Sequence, residues 1–480
     1  MKTIYEVVIG LEIHAQMSTK TKMFCRCDND SFNKEPNINT CEICMGFPGT
    51  LPCINKEAVK KAVIAALALH CVIPEHSKFD RKNYFYPDLP KGFQISQYDV
   101  PVSLKGWIEI EMKEGIKKIG ITRLHMEDDA GKLTHAPGGT LCDYNRSGTP
   151  LMEIVSEPDM HSSEEAVAYA KEIQKILRYV GSSECDMEKG MMRFDINISI
   201  RPKGIKEFGI KVEVKNLNSF RSLERAIEYE IKRQTEAVEC GERIIQETRG
   251  WDDIKGVTES QRTKEEAQDY RYFPEPDLPP LIQKNEEIEM YKKNIPELPR
   301  AKKKRYEQEF KLSDEEARIL TEELDRALFF EHAATISKDP KKTAQFMNSM
   351  LLGHLNEKHQ SLGECKISPE NLGKLILLIN NGKISHNLAK GKIFTAMFET
   401  GMSAEEIMEE KGLEELSDKG ALENLAKKII AENPKIVEQY KNGKTTVIGF
   451  FVGQMMQKTK GAANPKMVQD ILKELLGAET

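Results

Sequence analysis

The sequence predicts an α+β fold followed by two all-α segments, on three observations. Apolar alternations of period two recur through the first part of the chain, amphipathic helical stretches are interspersed with them, and past a proline cluster the strand pattern gives way to helix-start and helix-stop signals.

The first element fixes the logic. Val7, Ile9, Leu11 and Ile13 alternate with Val8, Gly10, Glu12 and His14, so a strand here turns Glu12 and His14 to one face and a continuous apolar face to the core. Helices are expected at Lys56 to Leu69 and at Glu164 to Tyr179. From Arg193 to Arg201, Phe194, Ile196, Ile198 and Ile200 face one way and Arg193, Asp195, Asn197, Ser199 and Arg201 the other. The pattern recurs at Ile210 to Lys215, where Ile210, Val212 and Val214 alternate with Lys211, Glu213 and Lys215. Three such segments can pave one sheet whose second face carries acids, amides and bases, the alternative being a solvated outer face.

Two further carboxylates bear on that choice. Glu153 sits in Leu-Met-Glu-Ile-Val, apolar on both sides, and a half-buried carboxylate is costly unless a cation or hydrogen bonds stabilise it. Glu127 closes a strand-like segment that runs into Asp128, Asp129 and a turn at Gly131. Hard oxygen donors of this kind favour Mg²⁺ shared with substrate phosphates, with zinc at Glu12 and His14 as the alternative.

Pro274, Pro276, Pro279 and Pro280 fall within seven residues, which rules out regular helix and marks a boundary region. Beyond it, Ser313 with Glu316 reads as a capping box, and Ser368-Pro369 starts another helix that Asn381-Gly382 closes. Ser385 opens the next, and Gly401 followed by Ser403 to Glu406 punctuates again. The final two helices are split by Lys458-Thr-Lys-Gly461, with Asn464-Pro465 starting the second. Boundaries are expected after residues 292 and 402, giving domains 1–292, 293–402 and 403–480.

A chain of 480 residues with 39% hydrophobic content has enough apolar material for several cores. No run approaches the ~18 apolar residues of a membrane span, and the first residues lack a secretory signal, which points to the cytosol, or else an organelle matrix. The formal charge of -6 argues against blanket attraction to nucleic acid. Four of the ten cysteines, Cys25, Cys27, Cys41 and Cys44, lie within twenty residues and can converge on one structural Zn²⁺, the alternative being four unrelated thiols. The scattered ones, such as Cys71 and Cys365, read as core residues or incidental thiols. Gly443-Lys444-Thr445 ends like a P-loop, but Glu438 stands where its first glycine belongs, so acid-rich strands are the best route to phosphoryl chemistry.

Nine ordered segments then carry a resemblance. Val-Ile-Gly-Leu-Glu-Ile-His-Ala-Gln (8–16), Lys-Phe-Asp-Arg-Lys-Asn-Tyr-Phe-Tyr-Pro-Asp (78–88), Gly-Phe-Gln-Ile-Ser-Gln-Tyr (92–98) and Leu-His-Met-Glu-Asp-Asp-Ala-Gly-Lys (124–132) come first. Gly-Thr-Pro-Leu-Met-Glu-Ile-Val-Ser-Glu-Pro-Asp (148–159), Val-Lys-Asn-Leu-Asn-Ser-Phe (214–220) and Asp-Tyr-Arg-Tyr-Phe-Pro-Glu-Pro-Asp (269–277) follow. The tail closes the set with Gly-Phe-Phe-Val-Gly-Gln-Met-Met (449–456) and Thr-Lys-Gly-Ala-Ala-Asn-Pro (459–465). Together they resemble the B-subunit family of the glutamine-dependent aspartyl/glutamyl-tRNA amidotransferases along the whole chain.

The resemblance implies a glutamine-synthetase-like cradle domain with a mixed, largely antiparallel sheet and a zinc loop at 25–44, then a helical domain and a small helical tail contacting tRNA. It implies that ATP phosphorylates the side-chain carboxylate of Asp or Glu carried on tRNA and that ammonia displaces the phosphate. Mg²⁺ would sit among Glu12, His14, Glu127 and Glu153; Asp195, resting on face geometry as much as on the family pattern, and Glu213 and Lys215 of the alternating segment are added as cofactor-binding candidates. Arg81 and Lys82, beside Tyr84-Phe85-Tyr86, become candidates for holding the nucleotide or the tRNA 3′ end, the alternative being a solvated loop over buried aromatics. Ammonia would come from an amidase-type A subunit, with a small C subunit completing a heterotrimer. Lys441, Lys444, Lys458, Lys460 and Lys466 suit the tail to tRNA phosphates, or are simply solvated. Two rivals stand beside this reading: a free-standing ATP-dependent amide ligase and a non-catalytic RNA adaptor.

Overall fold

The computed structural model describes residues 4–263, 270–411, 419–459, 463 and 465–477. Asp269, Lys460, Gly461, Ala462 and Asn464, singled out above, lie outside the described residues, as does the side chain of Lys466. The chain divides into two compact units, Met1–Leu298 and Pro299–Thr480.

The first unit is built on eight strands: β1 (Tyr5–Gln16), β2 (Ser103–Met112), β3 (Gly115–Asp128), β4 (Pro150–Ser156), β5 (Met192–Pro202), β6 (Val212–Leu217), β7 (Glu247–Asp252) and β8 (Val257–Thr263). They form one sheet in the order β8-β7-β6-β5-β1-β4-β3-β2, antiparallel except where β6 meets β7. Mixed α/β architecture with a mostly antiparallel sheet is therefore what the alternating segments build.

Its apolar face is covered by three helices, α1 (Lys56–Ala68), α2 (Ser163–Tyr179) and α3 (Phe220–Glu239). Ala62 and Ala66, Tyr169 and Ile173, and Leu223 and Ile227 from these helices share one core with Ile9, Leu11, Ile13, Ile196 and Ile198. Each fully buried Ile or Leu contributes roughly 1.5–3 kcal/mol relative to exposure, so the register of the central strands is strongly fixed. Serines cap the N-termini of α2 and α3, Ser162 taking the amide of Glu165 and Ser219 that of Ser222. Close approach fixes one glycine: a Cβ on Gly106 would lie 2.7 Å from the Leu69 carbonyl oxygen and against Cys71, where α1 ends on the sheet.

One expectation needs correction. Ile210 and Lys211 precede β6, and Ile210 is exposed, so the alternation there begins at Val212. The pattern extended too far because Ile210 matches the period without being paired to a neighbouring strand.

The proline-rich segment contributes two short extended pieces. Phe273–Pro274 pairs with Asp80–Asn83, which pairs in turn with Phe93–Ser96, and Leu281–Ile282 pairs with His76–Ser77.

Among the described residues, the regular elements of the second unit are all helices. Ser313 and Glu316 close a capping box, Ser368 caps the helix that Pro369 starts, Ser385 caps the next, and Gly401 ends a helix at φ +83°. Two hydrophobic clusters are found there, one running from Tyr306 to Ile407 and the other from Leu422 to Leu476.

Candidate functional site

Antiparallel register assembles the polar face of the sheet. Glu12 on β1 lies opposite Asp195 on β5, and His14 lies opposite both Arg193 on β5 and Glu153 on β4. Glu153 is in turn opposite His125 on β3, so it is flanked by two imidazoles. Directly opposed residues share a face with Cβ atoms about 4.5–5.5 Å apart, so side chains distant in sequence become neighbours.

Two triads of ligand atoms result: His14, Glu127 and Glu153 in one, Glu12, Asp195 and Glu213 in the other, each with its atoms within 4.8 Å of one another. The four residues expected around one cation are thus shared between two adjoining groups, with Glu12 on the Asp195 side. In the first, His14 Nε2 is 3.2 Å from Glu153 and 3.7 Å from Glu127, while His125 Nε2 is 3.3 Å from Glu153 and 3.9 Å from Glu127. The hydroxyl of Ser96 donates to Glu127 at 3.4 Å. In the second, the Asn197 amide donates to Glu12 at 2.8 Å, and Lys215 lies 3.2 Å from Glu213 and 3.6 Å from Asp195.

Burial and crowding of charge set the electrostatics. Burial and then the Glu153 charge push the Glu12 carboxyl above its ordinary range. Burial opposes charge on His14, but Glu153 and Glu127 outweigh it and hold the imidazole above its ordinary pKa. Burial would likewise raise Glu153, yet His125 and His14 hold its carboxyl well below the usual range. Asp129, despite burial, is kept low by Arg146 at 2.5 Å and Arg193 at 3.5 Å. The buried His14 Nδ1 has no hydrogen-bond partner among the described residues. Carboxylate oxygens with one imidazole, three-fold convergent and mostly buried, are a donor set that fits a hard divalent cation.

The remaining candidates separate. Arg81 and Lys82 are successive strand residues and point to opposite faces. The Arg81 guanidinium lies 4.2 Å above the Phe93 ring and is held by Glu275 through two bonds of 2.8 Å and by Asp277 at 3.2 Å. It thereby fastens Phe273–Pro274 to its neighbour strand. Lys82 lies 4.8 Å from the Tyr270 ring and 5.9 Å from that of Tyr84. On its face, opposite it in register, Gln94 donates to the Asp128 carbonyl beside the acid cluster. The aromatic run is divided too: Phe85 and Tyr86 are exposed and Tyr84 is not.

Cys25, Cys27, Cys41 and Cys44 converge in a loop without regular secondary structure, their sulfurs within 4.8 Å of one another. Lys22 is fully buried; its ammonium donates to the Asn39 carbonyl at 2.8 Å and contacts Cys44 Sγ at 3.8 Å. The Cys25 hydrogen bond, with Lys22 assisting, brings the Cys44 thiol down to about 5. Four sulfurs with one already favoured as thiolate can hold a metal ion in a closed tetrahedral shell. Of the tail lysines, Lys458 pairs with Glu432 at 2.9 Å and Lys444 is exposed.

Sequence reasoning missed His125, Arg146 and Asp129 as members of the site. His125 had a signal, standing two residues before Glu127 and therefore on its face of β3; Arg146 had none, since only the folded turn brings it to Asp129.

The family described as GatB/GatE catalytic domain matches residues 7–289, and that described as GatB domain matches residues 328–476. The chain is 50% identical to the B subunit of the aspartyl/glutamyl-tRNA(Asn/Gln) amidotransferase of Carboxydothermus hydrogenoformans, over 98% of this chain and 99% of that one. It is 51% identical to the protein of that name from Thermoanaerobacter pseudethanolicus and 50% identical to that from Persephonella marina, with the same coverage. Among the described residues no helix is long and apolar enough to cross a membrane.

Proposed function

Because the chain belongs to the GatB/GatE family of aspartyl/glutamyl-tRNA(Asn/Gln) amidotransferase B subunits, we propose that its polar sheet face activates the side-chain carboxylate of Asp or Glu carried on tRNA. The observation that supports this reading is the pair of adjoining triads, six potential cation ligands on a single rigid face.

The carboxylate oxygen attacks the γ-phosphorus of ATP, ADP leaves, and the acyl phosphate forms. Ammonia then attacks the acyl carbon, phosphate departs, and the nitrogen gives up a proton, leaving Gln-tRNA or Asn-tRNA. His14, Glu127 and Glu153 would hold one Mg²⁺, and Glu12, Asp195 and Glu213 a phosphate-bound one. Bound there, Mg²⁺ offsets the negative charge that accumulates on the transferring phosphoryl group. Lys215 supplies a fixed cation to the same oxygens, with Asp195 and Glu213 holding its ammonium in place. His125 and the Asn197 amide orient Glu153 and Glu12, so catalysis by this chain is mainly positioning.

The same reading takes the first unit as a glutamine-synthetase-like cradle and Cys25, Cys27, Cys41 and Cys44 as a structural Zn²⁺ site. It gives Lys82 and its aromatic neighbours to the nucleotide or the tRNA end, leaves Arg81 as a fastener of that wall, and gives the tail lysines to tRNA phosphates. Ammonia comes from an amidase-type A subunit, a small C subunit completes the assembly, and the complex works in the cytoplasm.

The test follows ATP-dependent amidation of Glu-tRNA and Asp-tRNA with ammonium as nitrogen donor, which bypasses the glutaminase. In the co-purified complex, Glu12→Gln and His14→Ala are each expected to lose about 10²-fold or more in kcat while still binding tRNA. Wild-type rates in both variants would return the site to a solvated sheet face.

A further inference from the structure

We propose that a groove one strand step beyond the acid cluster seats the 3′-terminal adenosine of the aminoacyl-tRNA. This rests on the functional reading above and adds to it where the tRNA end lies and in which direction its aminoacyl arm points.

The side chains of Glu12, His14 and Gln16 follow one another on the same face of β1, about 6.7 Å apart per step. Toward Glu12 the face is acidic, with Asp195 and Glu213 gathered on Lys215. In the opposite direction it runs past His14 to Gln16, which lines a groove of about 490 Å³. That volume lies within the roughly 300–1,000 Å³ of small-ligand sites. The groove is tied to the acid cluster by Asp129, which binds Arg146 of the groove wall and Arg193 beside His14.

The chemistry of the lining suits a nucleotide of a polyanion. Phe32 is exposed, with the Lys189 ammonium 6.0 Å above its ring, so it offers a stacking platform with a cation beside it. Lys132 also lines the groove, as does Lys34, whose ammonium is paired with Asp28 at 2.6 Å. Two of its carboxylates are already engaged by backbone amides, Asp30 by Phe32 N at 3.0 Å and Asp143 by Asn37 N and Asn145 N at 3.1 and 3.0 Å.

Length sets the assignment. From bond lengths near 1.5 Å, the extended arm of an aspartyl or glutamyl ester spans about 5–6 Å from side-chain carboxyl carbon to ester oxygen. A carboxylate placed among His14, Glu127 and Glu153 therefore puts its ribose one strand step away, beside Gln16, with the adenine over the groove floor. ATP, which brings phosphates to a cation, belongs at the opposite, acidic end.

The test uses a non-hydrolysable probe, 3′-amino-3′-deoxyadenosine 5′-phosphate carrying glutamate in amide linkage, on the complete complex. Phe32→Ala and Lys132→Ala are each expected to weaken probe binding about 10-fold and raise KM for Glu-tRNA by a similar factor, the scale of one lost base stack or phosphate contact, with wild-type Kd for ATP. Unchanged probe affinity and unchanged KM for Glu-tRNA in both variants would overturn the proposal, as would a loss of ATP rather than probe affinity in Phe32→Ala. If the groove variants behave as wild type while Glu12→Gln is inactive, only the groove assignment falls; if Glu12→Gln is fully active, the functional reading falls with it.

Discussion

The acid-bearing sheet face and the cysteine loop both gather groups that could hold a cation, yet they are built in opposite ways. The sheet draws Glu12, His14, Glu127, Glu153, Asp195 and Glu213 from five strands whose backbones are already paired. The loop draws four sulfurs from twenty residues outside any helix or strand. In the first case paired strands hold the groups in place; in the second, the Zn²⁺ proposed above would take the place that ladder hydrogen bonds hold elsewhere. A ligand removed from the sheet should therefore cost activity, and one removed from the loop should cost stability.

The largest effect expected is on turnover. Glu153→Ala should lower kcat for amidation by about 10²–10³, since it takes away a group that both imidazoles face, with Tm by differential scanning calorimetry little changed. A large fall in Tm with modest loss of rate would erase the contrast.

Cys44→Ser should act the other way. It takes the sulfur partner from Lys22 and opens the metal shell, so we expect about 3 kcal/mol of destabilisation and zinc release to a chromophoric chelator, with amidation at low temperature largely kept.

Glu230 on α3 sharpens the comparison as a buried carboxylate that the protein alone satisfies, through Arg233 at 2.8 Å, Gln234 at 3.0 Å and Arg249 at 3.3 Å. Burial would raise its pKa, but the Arg233 and Thr258 hydrogen bonds hold it below the ordinary value. Its contribution is then fully present above the unfolded value of about 4.3 and is lost as pH falls through the lower folded value. Glu230→Gln should flatten the acid limb of a Tm-against-pH profile without touching kcat. The smallest effect belongs to Lys458→Ala, which breaks a surface pair with Glu432 and should leave the midpoint of an equilibrium urea titration almost where it was.

The same contrast explains what could be read in advance. Period two exposed the faces of β1 and β5, because buried Ile and Leu at every second position leave a signal within one segment. The four cysteines were legible for the same local reason. Glu153 was conspicuous as a charge in an apolar strand, but nothing local says that β4 lies between β1 and β3, which is what gives it two histidines. The split of six potential ligands into two triads likewise depends on registers between strands nearly two hundred residues apart, as at Glu12 and Asp195. Arg81 was conspicuous as an arginine beside aromatics, but nothing local shows that Glu275 and Asp277, far along the chain, pair with it.

The decisive measurement is cation binding to the complete complex, with Mn²⁺ standing in for Mg²⁺ and read by electron paramagnetic resonance while zinc is counted by atomic absorption. A Glu12→Gln/Glu153→Gln variant, with one ligand altered in each triad, should lose bound Mn²⁺ and keep its zinc, and Cys44→Ser should keep Mn²⁺ and lose its zinc. Wild-type Mn²⁺ binding in the glutamate variant would contradict the assignment of the sheet face as the reaction centre.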